Sequence, residues 1–197
     1  MKLSQILTAP NTLTLLRMVF VPFIVIHLVE GRYLWALVVF MIAGFSDGLD
    51  GMLARTLHQQ TLLGQYLDPI ADKLLLSTMF LVLSILHKIP WKYTVMVFSR
   101  DISILAASAV LFAIAGLRNF SPSIFGKANT FSQVSAVFFV LLSEIHQQRW
   151  VWIAKITFLR ATFFFTILSA LHYVILVQRR LREPTHALPP APSSATR

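Results

Sequence analysis

The chain has 197 residues, of which 56% are apolar or aromatic and only 13% charged, against about 45–50% and about 25% in soluble domains. That balance excludes an ordinary soluble globule and also a disordered chain, which needs low hydrophobicity and high charge density. The lack of Cys excludes disulfides, thiolate metal ligands and a Cys nucleophile. The net charge of +9 is scattered between long apolar runs, which favours anionic lipid headgroups over nucleic acid as its counterpart.

A bilayer-spanning helix needs about 20 mainly apolar residues. Six such stretches occur, at 12–29, 34–55, 61–86, 92–116, 128–146 and 150–177. The expected fold is therefore all-α, a polytopic membrane protein with six transmembrane helices over residues 10–182. Ahead of it, residues 1–9 (MKLSQILTA) place Leu3, Ile6 and Leu7 on one helical face, which fits a short interfacial amphipathic segment or a frayed terminus. The first span carries Arg17 and no small-residue cleavage site follows it, so it reads as a retained helix. After Arg179, Arg180 and Arg182, the Pro/Ser/Ala-rich residues 183–197 read as a disordered tail.

Loop charges set the orientation, because Lys and Arg favour the cytoplasm. The side shared by the two termini holds Lys2, Arg55, Arg118, Lys127, Arg179, Arg180 and Arg182; the other holds Arg32, Lys88, Lys92 and Arg149. The termini are expected inside. All four tryptophans (Trp35, Trp91, Trp150 and Trp152) fall at the ends assigned outside, as an interfacial aromatic belt requires. Lys155 and Arg160 lie in the outer half of the last span. Lys155 is expected to snorkel outward, and Arg160 has no assigned role.

Four of the eight acidic residues lie between positions 47 and 72. A carboxylate within a span is costly, so each needs a partner or a task. Asp47 and Asp50 are three apart, Asp68 and Asp72 four apart, so each pair shares a helical face. A short connection between their helices makes the two antiparallel neighbours and lets the pairs converge. Converging carboxylates repel strongly unless cations neutralise them. Hard oxygen donors with no Cys or His nearby favour Mg²⁺, Mn²⁺ or Ca²⁺, and there are enough for two metal ions, which suits displacement at phosphorus. Gly48, Gly51, Ala54 and Gly64 allow a substrate or a backbone to approach closely. The competing readings are pairing with Arg55, Lys73 and Arg100 alone, or a cation path. The first leaves excess negative charge, and the second needs acids at several depths.

The stretch D-G-L-D-G-M-L-A-R, eight residues, then G-Q-Y-L-D-P-I-A-D resembles the signature of the CDP-alcohol phosphatidyltransferases. Asp47, Asp50, Gly51, Ala54, Arg55, Gly64, Asp68 and Asp72 match it in type and spacing. Pro10-Asn11 to Arg17, Ser99-Arg100-Asp101 and Gly126-Lys127-Ala-Asn129-Thr130 look like the family's other landmarks. The resemblance implies six membrane helices, frequently in a homodimer, with the active site at the cytoplasmic face of a bacterial-type inner membrane. It implies Mg²⁺ or Mn²⁺ held by Asp47, Asp50, Asp68 and Asp72. It further implies a CDP-lipid on Asp47, Gly51, Ala54, Arg55 and Gly64, and Asp72 as the base that activates an acceptor alcohol, with CMP leaving.

The look of the chain is closest to the phosphatidylglycerolphosphate synthase and cardiolipin synthase branch. The glycerol 3-phosphate enzymes carry a further Arg and Lys where this chain has Ser108 and Asn129. Fewer cations suit the singly charged phosphodiester of phosphatidylglycerol better than a phosphomonoester. The expectation leans to phosphatidylglycerol as acceptor, with glycerol 3-phosphate as the alternative. Arg118 and Lys127, in the connection between spans four and five, are candidates for acceptor phosphate, and Arg17 and Arg100 for lipid phosphates. Of a different class, a divalent-cation transporter could also use the acidic cluster. The six histidines show no paired spacing on a common face.

Overall fold

A computed structural model describes the backbone of residues 9–57, 62–115 and 124–182, and the side chains of residues 18–46, 73–103 and 126–171. Six helices follow one another: α1 (Ala9–Val29), α2 (Tyr33–Leu57), α3 (Leu62–Ile85), α4 (Trp91–Ala115), α5 (Ile124–Ile145) and α6 (Arg149–Arg182). No strand occurs among the described residues. The all-α class is as the hydropathy predicts. Residues 1–8 and 183–197, where the interfacial segment and the tail are expected, lie outside the described residues.

Among the described residues, two stretches are long and apolar enough to cross a membrane, Gly126–Ile145 in α5 and Arg149–Leu171 in α6; shorter apolar helices cover Met18–Val29, Tyr33–Ser46 and Lys73–Ile85. Large apolar side chains face outward along the bundle, among them Phe23, Phe45, Val95, Ile102, Phe131, Phe164 and Leu171. So much exposed apolar surface suits lipid and not water. Trp35, Trp91, Trp150 and Trp152 are all about half exposed and stand at the first turns of α2, α4 and α6, the ends at which the sequence places them.

The core is built from Ile24 and Leu28 of α1, Phe40 of α2, Met79, Phe80 and Leu83 of α3, Val97 of α4, and Val137 and Leu141 of α5. α1 packs against α2 and α3, α5 against α2, α3 and α6, and α4 against α3 and α6. Among the described residues α2 and α3 therefore meet through α1 and α5. Rings stitch α5 to α6: Phe139 stacks on Phe158 with centroids 5.2 Å apart and planes within 8°.

Two connections are closed by the same local device. At the end of α1 the Gly31 N–H donates to the Leu28 carbonyl (3.1 Å) and the Arg32 N–H to the His27 carbonyl (2.8 Å), with Gly31 at φ 71°. At the end of α3 the His87 N–H donates to Ser84 (3.0 Å) and the Lys88 N–H to Leu83 (2.8 Å), with His87 at φ 58°. Both are Schellman caps, which satisfy the last carbonyls and need a left-handed residue. Just beyond the second cap, Lys88 donates to Glu144 near the end of α5 at 2.5 Å, and its ammonium sits 5.2 Å from the Tyr33 ring centroid. The hydrogen bond to Glu144 holds the Lys88 ammonium above the ordinary lysine range, outweighing its partial burial.

Lys155 runs toward the outer end of α5, as expected, but its ammonium ends 3.9 Å from the same Glu144 with its side chain only 17% exposed, so it meets a carboxylate there and not open water.

Candidate active site

The two acidic pairs occupy successive helix ends in the chain. Asp47, Asp50, Gly51, Ala54 and Arg55 lie in the last turns of α2, and Gly64, Asp68 and Asp72 in the first turns of α3. The backbone is α-helical through both stretches, so Asp47 and Asp50, and separately Asp68 and Asp72, share a face as their spacing requires. Their side chains, with those of Arg17, Arg55 and every residue from 47 to 72, lie outside the described residues, as does Arg118 altogether. Arg17 is in the first half of α1, which begins at the end of the bundle where α2 finishes.

Lys127 is a correction of place. The structure begins α5 at Ile124, so Lys127 sits in its first turn and not in the connection before it. The Thr130 hydroxyl donates to the Gly126 carbonyl at 3.1 Å, a side-chain back-bond within the first turns of α5 that takes the hydroxyl's polarity out of the apolar surroundings. Lys127 is exposed at that end.

One residue past Asp72, the interior becomes polar. Lys73 of α3 and Arg100 of α4 both donate to the same oxygen, Oδ1 of Asp101, Arg100 from Nη1 at 2.7 Å. Arg100 and Asp101 are buried, at 6% and 9% exposure, and Arg100 Nη2 reaches Ser169 Oγ of α6 at 3.5 Å. Asp101 thus ties α3, α4 and α6 together, and a charge-assisted bond in such surroundings is about twice as strong as a neutral one. Arg100, expected as a contact for lipid phosphate, is charge-paired inside the protein. Asp101 stood in the sequence as a landmark without a task; its single hint was an acid beside a base in an apolar span.

A neutral seam continues from this ion pair. The Thr166 hydroxyl of α6 donates to Asn129 Oδ1 of α5 at 3.1 Å. Asn129, Ser132, Gln133, Thr162, Thr166 and Ser169 are all buried. Asn129 Nδ2, Gln133 Nε2 and Arg100 Nε have no hydrogen-bond partner. Buried donors left open in a low dielectric are costly. Three of them lie on α4 and α5, in the buried polar lining that the seam forms between the helices. The periodicity of α5 alone could have marked Asn129 and Gln133, four apart on one face, but not that α6 would cover them.

Similarity to known proteins extends over these helices. The CDP-alcohol phosphatidyltransferase profile matches residues 7–177, nearly all of the helical bundle. A Mycobacterium bovis protein provisionally named cardiolipin synthase is 31% identical over 142 residues, 72% of this chain and 68% of the relative. A Mycobacterium tuberculosis protein named probable phosphatidylglycerophosphate synthase is 31% identical over 183 residues, 87% of this chain and 82% of the relative. The human cardiolipin synthase (CMP-forming) is 40% identical over 101 residues, 51% of this chain and 34% of the human protein. The bundle is that of a membrane-bound transferase. The chain belongs to the CDP-alcohol phosphatidyltransferase family, and it is an enzyme of phospholipid synthesis rather than a cation transporter.

Proposed function

We propose that the protein transfers the phosphatidyl group of CDP-diacylglycerol to phosphatidylglycerol, releasing CMP. The observation that carries the choice of acceptor is the character of the buried lining. Its arginine is already neutralised by Asp101, and its open donors are two amides, of Asn129 and Gln133, and one guanidinium nitrogen. Neutral donors suit glycerol hydroxyls and a singly charged phosphodiester. A phosphomonoester dianion calls for fixed, unpaired cations. Glycerol 3-phosphate is the second reading, favoured by the phosphatidylglycerophosphate synthase relative that matches 87% of the chain.

The donor set at the end of α2 and the start of α3 fits hard divalent ions, being carboxylate oxygen only, on two helical faces. Asp47, Asp50, Asp68 and Asp72 would hold Mg²⁺ or Mn²⁺, which neutralises a diphosphate and the charge that develops on a leaving CMP. Gly51, Ala54, Arg55 and Gly64, with Asp47, take the cytidine and diphosphate. Asp72 accepts the proton of the acceptor hydroxyl, whose oxygen bonds to the phosphorus bearing diacylglycerol as the bond to CMP breaks. The Lys73–Asp101 bond next to Asp72 holds the turn of α3 that presents this base. We place all six helices across the membrane with both termini and the aspartates on the cytoplasmic side, in a homodimer.

The test offers purified protein in micelles, with CDP-diacylglycerol and Mn²⁺, glycerol 3-phosphate, phosphatidylglycerol, inositol and serine in turn. Cardiolipin and CMP are expected from phosphatidylglycerol, with no turnover in excess chelator. Product from glycerol 3-phosphate alone establishes the second reading, and product from inositol or serine overturns both.

A further inference from the structure

Arg160 lies in the outer half of α6 (Arg149–Arg182), on a helix whose described part is apolar enough to cross a bilayer. It is exposed, and no ion pair or hydrogen bond involves it among the described residues. An ionisable side chain on a lipid-facing helix surface is expensive without a partner and marks a functional position.

The register of α4 shows where that partner would enter. α4 and α6 run parallel, and the Tyr93 ring packs edge-on against Phe163, centroids 6.2 Å apart. The contact from Arg100 to Ser169 repeats the same offset further along. The first residue of α4 is therefore level with Arg160, roughly 17 Å along α6 from Arg149 at 1.5 Å per residue. Yet Lys88, just before α4, still reaches Glu144 near the end of α5. The connection dips inward, and α4 begins deeper than α5 ends.

Above that recessed start is a cavity of about 200 Å³ lined by Lys92, Tyr93, Arg160 and Phe163. Among the described residues lining it both charges are positive and there is no carboxylate. Further along each helix Val95 and Phe164 are exposed and apolar, so the cavity opens onto a lipid-facing surface. We propose that this groove between α4 and α6 binds the phosphate of an anionic phospholipid, with Arg160 and Lys92 as its cationic contacts and the acyl chains along the exposed apolar faces. The guanidinium fork suits two phosphate oxygens, and the ammonium a third. The groove is separate from the transferase centre: Lys92 is nine residues before Asp101 on α4, roughly 14 Å along the helix.

The test uses the full-length protein in neutral micelles with excess chelator, so that no transfer occurs, and phosphatidic acid, which is neither donor nor acceptor in the proposed reaction. Bound lipid is counted by native mass spectrometry and thermal unfolding is followed in parallel. The wild type is expected to retain phosphatidic acid in preference to phosphatidylcholine and to unfold at a higher temperature with it. The double variant Lys92→Gln, Arg160→Gln should bind about tenfold or more weakly, and Arg160→Lys should keep part of the binding. CMP release by the double variant in neutral micelles should match the wild type, which separates this site from the catalytic one. Equal retention of phosphatidic acid by wild type and double variant overturns the proposal. So does displacement by inorganic phosphate at matched concentration, which would make the ligand a soluble anion. Efficient cross-linking between two copies through Arg160→Cys in micelles would overturn it too, by assigning the groove to a second copy.

Discussion

Lys73 on α3, the residue after the aspartate proposed as the base, and Arg100 on α4 converge on a single oxygen of Asp101. The Lys73–Asp101 bond joins α3, the helix that carries Asp72, to α4, the helix that follows it.

Asp101→Asn removes the charge that two cations share. Arg100, only 6% exposed, is then buried without a counter-charge, which costs about 3–5 kcal/mol when one partner of a buried pair is lost. A clear fall in thermal unfolding temperature in micelles is expected. Lys73→Gln should cost under about 1 kcal/mol, because its side chain is 38% exposed.

Asp72→Asn keeps the size of the side chain and removes the proton acceptor. Transfer should fall below detection while the protein stays folded and still binds CDP-diacylglycerol, as read by CMP release and by a direct binding measurement. Normal turnover in this variant rules out Asp72 as the base.

Asn129→Lys tests the argument from charge. A cation in the buried lining should raise the use of glycerol 3-phosphate relative to phosphatidylglycerol about tenfold, the factor given by about 1.4 kcal/mol between a neutral and a charge-assisted hydrogen bond. Competition between the two acceptors, with products weighed by mass, reads the ratio.

The Lys88–Glu144 bond has a defined pH window. The folded-state pKa of Lys88 is raised, first by its hydrogen bond to Glu144. Its contribution is therefore complete below the ordinary lysine pKa of about 10.4 and is lost as pH rises through the folded value. Lys88 and Glu144 side chains are 29% and 19% exposed, so the contribution is under about 1 kcal/mol. Unfolding temperatures at pH 9 and above pH 11 should differ less in Glu144→Gln than in the wild type.

His87 occupies a left-handed position, φ 58°, that glycine takes without strain. His87→Gly should stabilise the protein by about 0.5–1 kcal/mol, since relief of roughly 1–2 kcal/mol of backbone strain exceeds the added chain entropy. An equal or lower unfolding temperature contradicts this.

What was legible in the sequence was local. Runs of apolar residues announce helices because each residue reports its own solvent, and the intervals between Asp47 and Asp50 and between Asp68 and Asp72 fix a shared face because a helix repeats every 3.6 residues. The eight matching positions likewise named the family without a fold. Relations between helices were decided only by the packed bundle. Which acid receives Arg100, that Lys155 ends on Glu144, and that α4 starts opposite Arg160 all depend on how far one helix slides along another. That slide is set by many small packing contacts between residues distant in sequence, and no local period records it.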